Sequence, residues 1–180
     1  MKIAYADPPY IGQAKRHYSQ EDSYAGEVNH TDLIRMLVAA FPDGWALSCS
    51  SPSLPILLPI VTAATKGLHP YRIGAWVKSF CAFKKGVRPA YAWEPVIYWG
   101  GRNPPWYPHP PPPRNGKQTT PKDFVVAPIT LKKGLVGAKP PAFCEWLFWL
   151  MGMRAGDQLI DLFPGTGAVT QAWQELEAKG

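Results

Sequence analysis

Gln158-Leu159-Ile160-Asp161-Leu162-Phe163-Pro164-Gly165-Thr166-Gly167 reads as an apolar strand ending in an acid, then a glycine turn, then the start of a helix. Glycine takes the backbone conformations a tight turn needs and lets a ligand come close to the main chain. The helix start behind it offers free N–H groups to a carboxylate or phosphate. An acid at the strand tip can bind an ammonium or a ribose hydroxyl. The segment is therefore a candidate nucleotide site, although such turns also serve as plain connections. Around it, residues 166–178 predict the last helix, 141–151 an apolar helix and 158–163 the last strand. Further upstream, strands are predicted over residues 2–6, 45–48, 71–78 and 93–99. Helices are predicted over 32–41, with Thr31 as N-cap, and over 55–66, where Pro59 is an awkward interior residue. Residues 11–29 form a polar loop, too long for a simple connector. Strands alternating with helices predict an α/β fold, an open and mostly parallel sheet with helices on both faces. In such sheets ligands bind beyond the carboxyl ends of the strands, near a switch in strand order.

A second segment meets that condition. Asp7-Pro8-Pro9-Tyr10 follows the apolar run Ile3-Ala4-Tyr5-Ala6. A carboxylate and the carbonyls of a rigid proline pair can accept hydrogen bonds from an exocyclic amino group, and an aromatic ring can lie against the base that carries it. Proline fixes its own φ and restricts the residue before it, so the acceptors are preorganised. The tetrapeptide also suits a plain strand end closed by a proline turn. Asn103-Pro104-Pro105-Trp106 fits the same pattern after another strand. It is followed by Tyr107-Pro108-His109 and a proline run, which cannot form the helix and strand expected next, so Asp7 is preferred.

Composition bounds the rest. A chain of 180 residues with 46% hydrophobic content suits one domain with a sizeable core. The formal charge of +6 fits a polyanionic partner such as nucleic acid, and equally a basic protein without one. The 3 cysteines, Cys49, Cys81 and Cys144, show no pairing or zinc spacing and read as reduced thiols in a cytoplasmic protein. No signal peptide is visible, and the apolar run 54–64 is too short and too rich in proline to span a membrane.

The two end motifs together resemble the S-adenosylmethionine-dependent amino-methyltransferases that modify adenine N6 or cytosine N4 in DNA. That family carries an Asp/Asn/Ser-Pro-Pro-aromatic catalytic motif and an Asp-x-Phe-x-Gly-x-Gly cofactor motif. The order here, Asp7-Pro8-Pro9-Tyr10 first and Asp161-Leu162-Phe163-Pro164-Gly165-Thr166-Gly167 last, resembles the permuted beta group. Trp76-Val77-Lys78, Glu94-Pro95-Val96-Ile97-Tyr98-Trp99 and Lys139-Pro140 stand between them as weaker landmarks in the expected order. The resemblance implies a Rossmann-like methyltransferase fold over residues 1–180, shortened after the cofactor motif, with a small irregular proline-rich insertion at about 100–122. It implies that Asp7, Pro8, Pro9 and Tyr10 are catalytic. It also implies that Asp161, Phe163, Gly165, Thr166 and Gly167 hold S-adenosylmethionine, with Lys139 and Pro140 nearby, and that no metal is required. By family habit an Asp at position 7 points to adenine N6 in DNA. Methylation of RNA adenine or of cytosine N4, or a non-catalytic methyltransferase-like subunit that binds nucleic acid, are the alternatives.

Two features lie beyond the motifs. Lys15, Arg16 and Tyr18, and the cluster Lys84, Lys85 and Arg88, suit phosphate contact and base stacking, and equally suit solvated loops. The family usually continues past the glycine turn through a helix to a strand whose terminal acid binds the cofactor ribose. Residues 168–180 have room for the helix alone. The expectation is that the ribose contact is missing or comes from elsewhere, a homodimer mate or partner subunit included.

Overall fold

β1 (Lys2–Ala6) alternates its side chains between two apolar layers: Ile3 and Tyr5 enter one, Ala4 and Ala6 the other. A strand buried on both faces belongs inside a sheet covered twice, and that is its place. The computed structural model describes residues 1–12, 27–80, 86–103, 122–130 and 138–179. Its strands are β1, β2 (Gly44–Ser48), β3 (Arg72–Val77), β4 (Trp93–Gly100), β5 (Phe124–Val126) and β6 (Gln158–Asp161). They form one six-stranded sheet in the order β5-β3-β4-β2-β1-β6. The helices are α1 (His30–Ala40), α2 (Leu54–Ala64), α3 (Pro141–Leu150) and α4 (Ala168–Glu177).

α1 and α2 cover one face, packing Ile34, Leu37, Leu57 and Val61 on Ala4, Ala6, Trp45, Leu47 and Ile97. α3 and α4 cover the other, where Phe143, Leu147, Phe148, Val169 and Trp173 meet Ile3, Tyr5, Val96 and Trp76. The expected α/β sheet with helices on both faces is thus present. β1 pairs in parallel with β2 and β6, and β3 in parallel with β5. β4 is the exception, antiparallel to both β2 and β3.

Local chemistry accounts for the element ends. α1 starts earlier than the Thr31 cap predicts, because Asn29 is the N-cap. Its Oδ1 accepts from the amides of Thr31 and Asp32 at 3.1 and 3.2 Å, and its Nδ2 donates to Asp32 at 2.7 Å. Pro59 does lie inside α2, on an exposed position. The short edge strand β5 is absent from the sequence-based reading. It falls just past the expected insertion, of which residues 104–121 lie outside the described residues. Among the described residues no helix is long and apolar enough to cross a membrane. Cys49 and Cys144 are buried free thiols, which burial pushes up to about 12; Cys81 lies outside the described residues.

Candidate active site

The two end motifs are neighbours. β1 and β6 pair in parallel with Tyr5 opposite Asp161, and the Leu162 amide bonds the Tyr5 carbonyl at 2.9 Å. Asp7 and Phe163 therefore leave the same edge of the sheet side by side. The reversal of β4 adds a third contribution. Because β4 runs against its neighbours, its first residues lie among the carboxyl ends of the others, with Glu94 opposite Trp76 and the Cys49 amide bonded to the Pro95 carbonyl at 3.1 Å.

At that edge the charged groups are interlocked. The Lys139 ammonium, 7% exposed, lies 3.0 Å from Asp7 Oδ2 and also pairs with Glu94 Oε1. Lys78 approaches Glu94 Oε2 at 3.2 Å. The Tyr10 phenol is within interaction range of the Glu94 carboxylate. Lys139 rests over the rings of Trp76 and Phe143, 5.4 and 5.5 Å from their centroids, and Lys78 lies 5.0 Å from that of Trp76. Beneath, the Tyr5 hydroxyl and Ser48 Oγ share a 2.9 Å hydrogen bond.

The electrostatics follow from burial and pairing. Burial pushes the Asp7 carboxyl up to about 6, against the pull of the Lys139 ammonium and with the help of Glu94 and Asp161. Burial also opposes the charge on Glu94, but Lys139 and Lys78 outweigh it and hold Glu94 below the usual range. Burial disfavours the Lys139 ammonium too, yet Asp7 and Glu94 prevail and keep it charged well past the ordinary lysine range. Burial lifts the Tyr10 phenol, which stays neutral.

The glycine turn presents an open face. Gly165 and Gly167 have φ of +49° and +74°, and a Cβ on Gly167 would meet nothing within 4 Å. The turn is closed by the Gly167 amide on the Pro164 carbonyl at 2.6 Å. Gly167 then caps α4 without any side-chain bond to the first-turn amides. Thr166 is exposed, and Phe163 is half-buried against the α1–α2 layer. Asp161 Oδ2 accepts from Thr170 at 3.0 Å, whereas Oδ1 is buried with no hydrogen-bond partner among the described residues. Burial raises this carboxyl above its ordinary range. An orphaned carboxylate oxygen beside uncapped helix amides fits a ligand carrying both an ammonium or hydroxyl and an anionic group.

The sequence-predicted residues thus divide into groups. Asp7, Pro8, Pro9 and Tyr10 follow β1, and Asp161, Phe163, Gly165, Thr166 and Gly167 end and follow β6, its parallel neighbour, at the same sheet edge. Pro140 is buried and supplies the carbonyl that starts α3. Lys139, expected near the cofactor, has its ammonium on Asp7 and Glu94. Glu94 and Lys78 carry no role in the sequence-based site. Their signal is their place in the landmarks Trp76-Val77-Lys78 and Glu94-Pro95-Val96-Ile97-Tyr98-Trp99, each a charged residue at one end of an apolar strand. Lys15, Arg16, Tyr18, Lys84 and Lys85, and all of the alternative tetrapeptide except Asn103, lie outside the described residues; Arg88 is exposed on the connection from β3 to β4. A groove elsewhere, lined by Ile73, Val77, Trp93, Asp123 and Phe124, holds one acid and no base.

No protein-family model and no curated protein matches the sequence. Solved structures do match. The M1.HpyAVI–SAM complex aligns with a TM-score of 0.59 over 98% of this chain and 78% of its own, at 17% identity. The M1.HpyAVI structure aligns with a TM-score of 0.55 over 97% and 76%, at 16% identity. At these identities the likeness is one of architecture, and this chain has the fold of M1.HpyAVI.

Proposed function

We propose that the chain transfers a methyl group from S-adenosylmethionine to the exocyclic amino group of a base in DNA, with adenine N6 as the acceptor. The observation that carries this reading is the pairing of β1 with β6, which sets an amino-acceptor motif beside a glycine turn with an orphaned acid. It is supported by the fold shared with the M1.HpyAVI–SAM complex. The donor supplies a sulfonium methyl group, electrophilic without a metal. Asp161 suits its ammonium or hydroxyl groups, the free α4 amides its carboxylate, and Phe163 its apolar part.

The rest falls to residues of the chain. A base whose amino group is hidden by pairing leaves the stack to reach the edge. Asp7 and the Pro8 carbonyl accept its amino hydrogens, which draws the nitrogen lone pair out of conjugation. The Tyr10 ring stacks on the base. Positioning and fixed charge do most of the work. Asp7 accepts best when ionised, and its carboxyl titrates at about 6, so transfer falls as the pH drops through that value. The net charge of +6 favours a nucleic-acid partner, with Arg88 among the candidate contacts.

Incubation with tritiated S-adenosylmethionine and unmethylated DNA or RNA, then nucleoside analysis, tests the reading. The expected product is N6-methyladenine in DNA. Label in RNA or in N4-methylcytosine reassigns the substrate, and calorimetry without cofactor binding makes the chain a non-catalytic subunit. Asp7→Ala is expected to abolish transfer while cofactor affinity stays within about twofold, well under 1.4 kcal/mol.

A further inference from the structure

Glu94 has no task in the transfer described above, yet both of its carboxylate oxygens are paired with lysines at the sheet edge. It is 6% exposed at the start of β4, where the reversed strand delivers it to the carboxyl ends of the others. Its Oε1 meets the Lys139 ammonium, its Oε2 lies 3.2 Å from Lys78, and the Tyr10 phenol is within interaction range. Lys139 continues the chain of contacts to Asp7 Oδ2 at 3.0 Å. Collecting several charges out of water costs desolvation that an apolar set of equal volume avoids. Apolar packing is already in place here, because the Trp76 and Phe143 rings, 5.5 Å apart, join β3 to α3. The charged cluster adds direction: it ends on the two groups that would meet a base.

We infer that Glu94 is a positioning residue of the amino-acceptor site, orienting the Asp7 carboxylate through Lys139 and the Tyr10 ring through its phenol hydroxyl. The inference rests on the reading of Asp7 to Tyr10 as the acceptor motif, and it assigns Lys139 to that motif rather than to the cofactor. One buried side chain then sets both the hydrogen-bond acceptor and the stacking surface, and Lys78 holds that side chain from behind. The charged and titratable groups around Asp7 are Lys139 ahead of α3, Glu94 on β4 and Asp161 on β6, with Tyr5 and Tyr10 on its own segment. Cys49 and Lys78 lie beyond, on the Glu94 side.

The arrangement makes a signed prediction. Lys139 favours the ionised form of Asp7 and Glu94 disfavours it. Glu94→Gln keeps one of the two acceptor oxygens and removes the charge, so Asp7 ionises at lower pH. Lys139→Met removes the cation, so Asp7 ionises at higher pH. The experiment uses the full chain with aspartate labelled at its carboxyl carbon, followed by NMR across about pH 5 to 8. The Asp7 signal is the one lost in Asp7→Asn. Methyl transfer to unmethylated DNA is measured over the same range.

The expected result is that the Asp7 midpoint and the acid limb of kcat/KM move down together in Glu94→Gln and up in Lys139→Met. Glu94→Ala, which also frees Tyr10, lowers kcat by about tenfold to a hundredfold, while cofactor affinity measured by calorimetry is kept. Glu94→Gln recovers most of that loss. An Asp7 midpoint that does not move in Glu94→Gln overturns the inference, as does a loss of cofactor binding in step with transfer. If Lys139→Met does not fold, the Glu94→Gln shift decides alone. If the wild-type chain methylates neither DNA nor RNA, the functional reading fails, and the Asp7 midpoints still report whether Glu94 and Lys139 control that carboxylate.

Discussion

Single residues at the sheet edge divide the work between two carboxylates. Asp7 is held in an ion pair through Oδ2, whereas Asp161 keeps one buried oxygen without a hydrogen-bond partner among the described residues. A buried acceptor left unsatisfied costs about 1 to 3 kcal/mol, which a ligand donor can recover on binding. Asp161→Ala should therefore weaken S-adenosylmethionine binding at least about tenfold, or 1.4 kcal/mol. The folded state should change little, because the loss of the orphaned oxygen offsets the loss of the Thr170 hydrogen bond to Oδ2. Calorimetry and thermal melts read the two effects separately. Unchanged affinity would remove Asp161 from the cofactor site.

At the scale of elements, one reversed strand and one glycine shape the molecule. β4 lies between β3 and β2 and runs against both, which turns its opening residue pair, Trp93-Glu94, toward the functional edge. Next to it β3 must sit tightly under α3. A Cβ on Gly74 would meet the Trp146 ring and the Asp123 carbonyl, each at 2.9 Å. The Trp146 Nε1 donates to the Lys122 carbonyl at 3.3 Å, so the ring has little freedom to retreat. Gly74→Ala should cost about 1 to 3 kcal/mol as overpacking, measured by urea unfolding. The weakness should be local to the β3–β5 edge, where hydrogen exchange would quicken before it does in β1.

The whole molecule is closed by a second charged cluster, away from the site. Asp157, just before β6, takes two bonds from Arg102, just past β4, at 2.5 and 2.9 Å. It also takes the Arg154 amide at 2.9 Å and the Met1 ammonium at 2.5 Å. Burial would raise this carboxyl, but the Arg102 guanidinium and the other donors hold it well below the usual carboxylate range. In the unfolded chain an aspartate titrates near about 3.9. A carboxyl depressed in the folded state contributes stability that is complete above that value and is lost as the pH falls below it. Asp157→Asn should lower Tm by several degrees at neutral pH, and the difference from wild type should shrink as the solution is acidified below about pH 4. Melting curves across pH check this, and a constant difference would count against the assignment.

Much of this was written in local patterns. The alternation in Ile3 to Ala6, the proline pair after Asp7 and the glycines at 165 and 167 each act within a few residues, where sterics and backbone geometry fix the outcome. Strand tips, the helices over residues 141–151 and 166–178 and the α/β class follow from them. The Asn29 cap and three-residue β5 escaped the sequence reading because neighbouring Thr31 is an equally ordinary cap and so short a strand has no period to detect. What needed the folded chain was every choice between distant partners. The direction of β4, the arrival of Glu94 at the carboxyl edge, and Lys139 bound to Asp7 rather than to the glycine turn depend on burying two apolar layers at once. A lone charged residue in a sequence carries no mark of its partner. Desolvation makes that partner compulsory only after packing has removed the water.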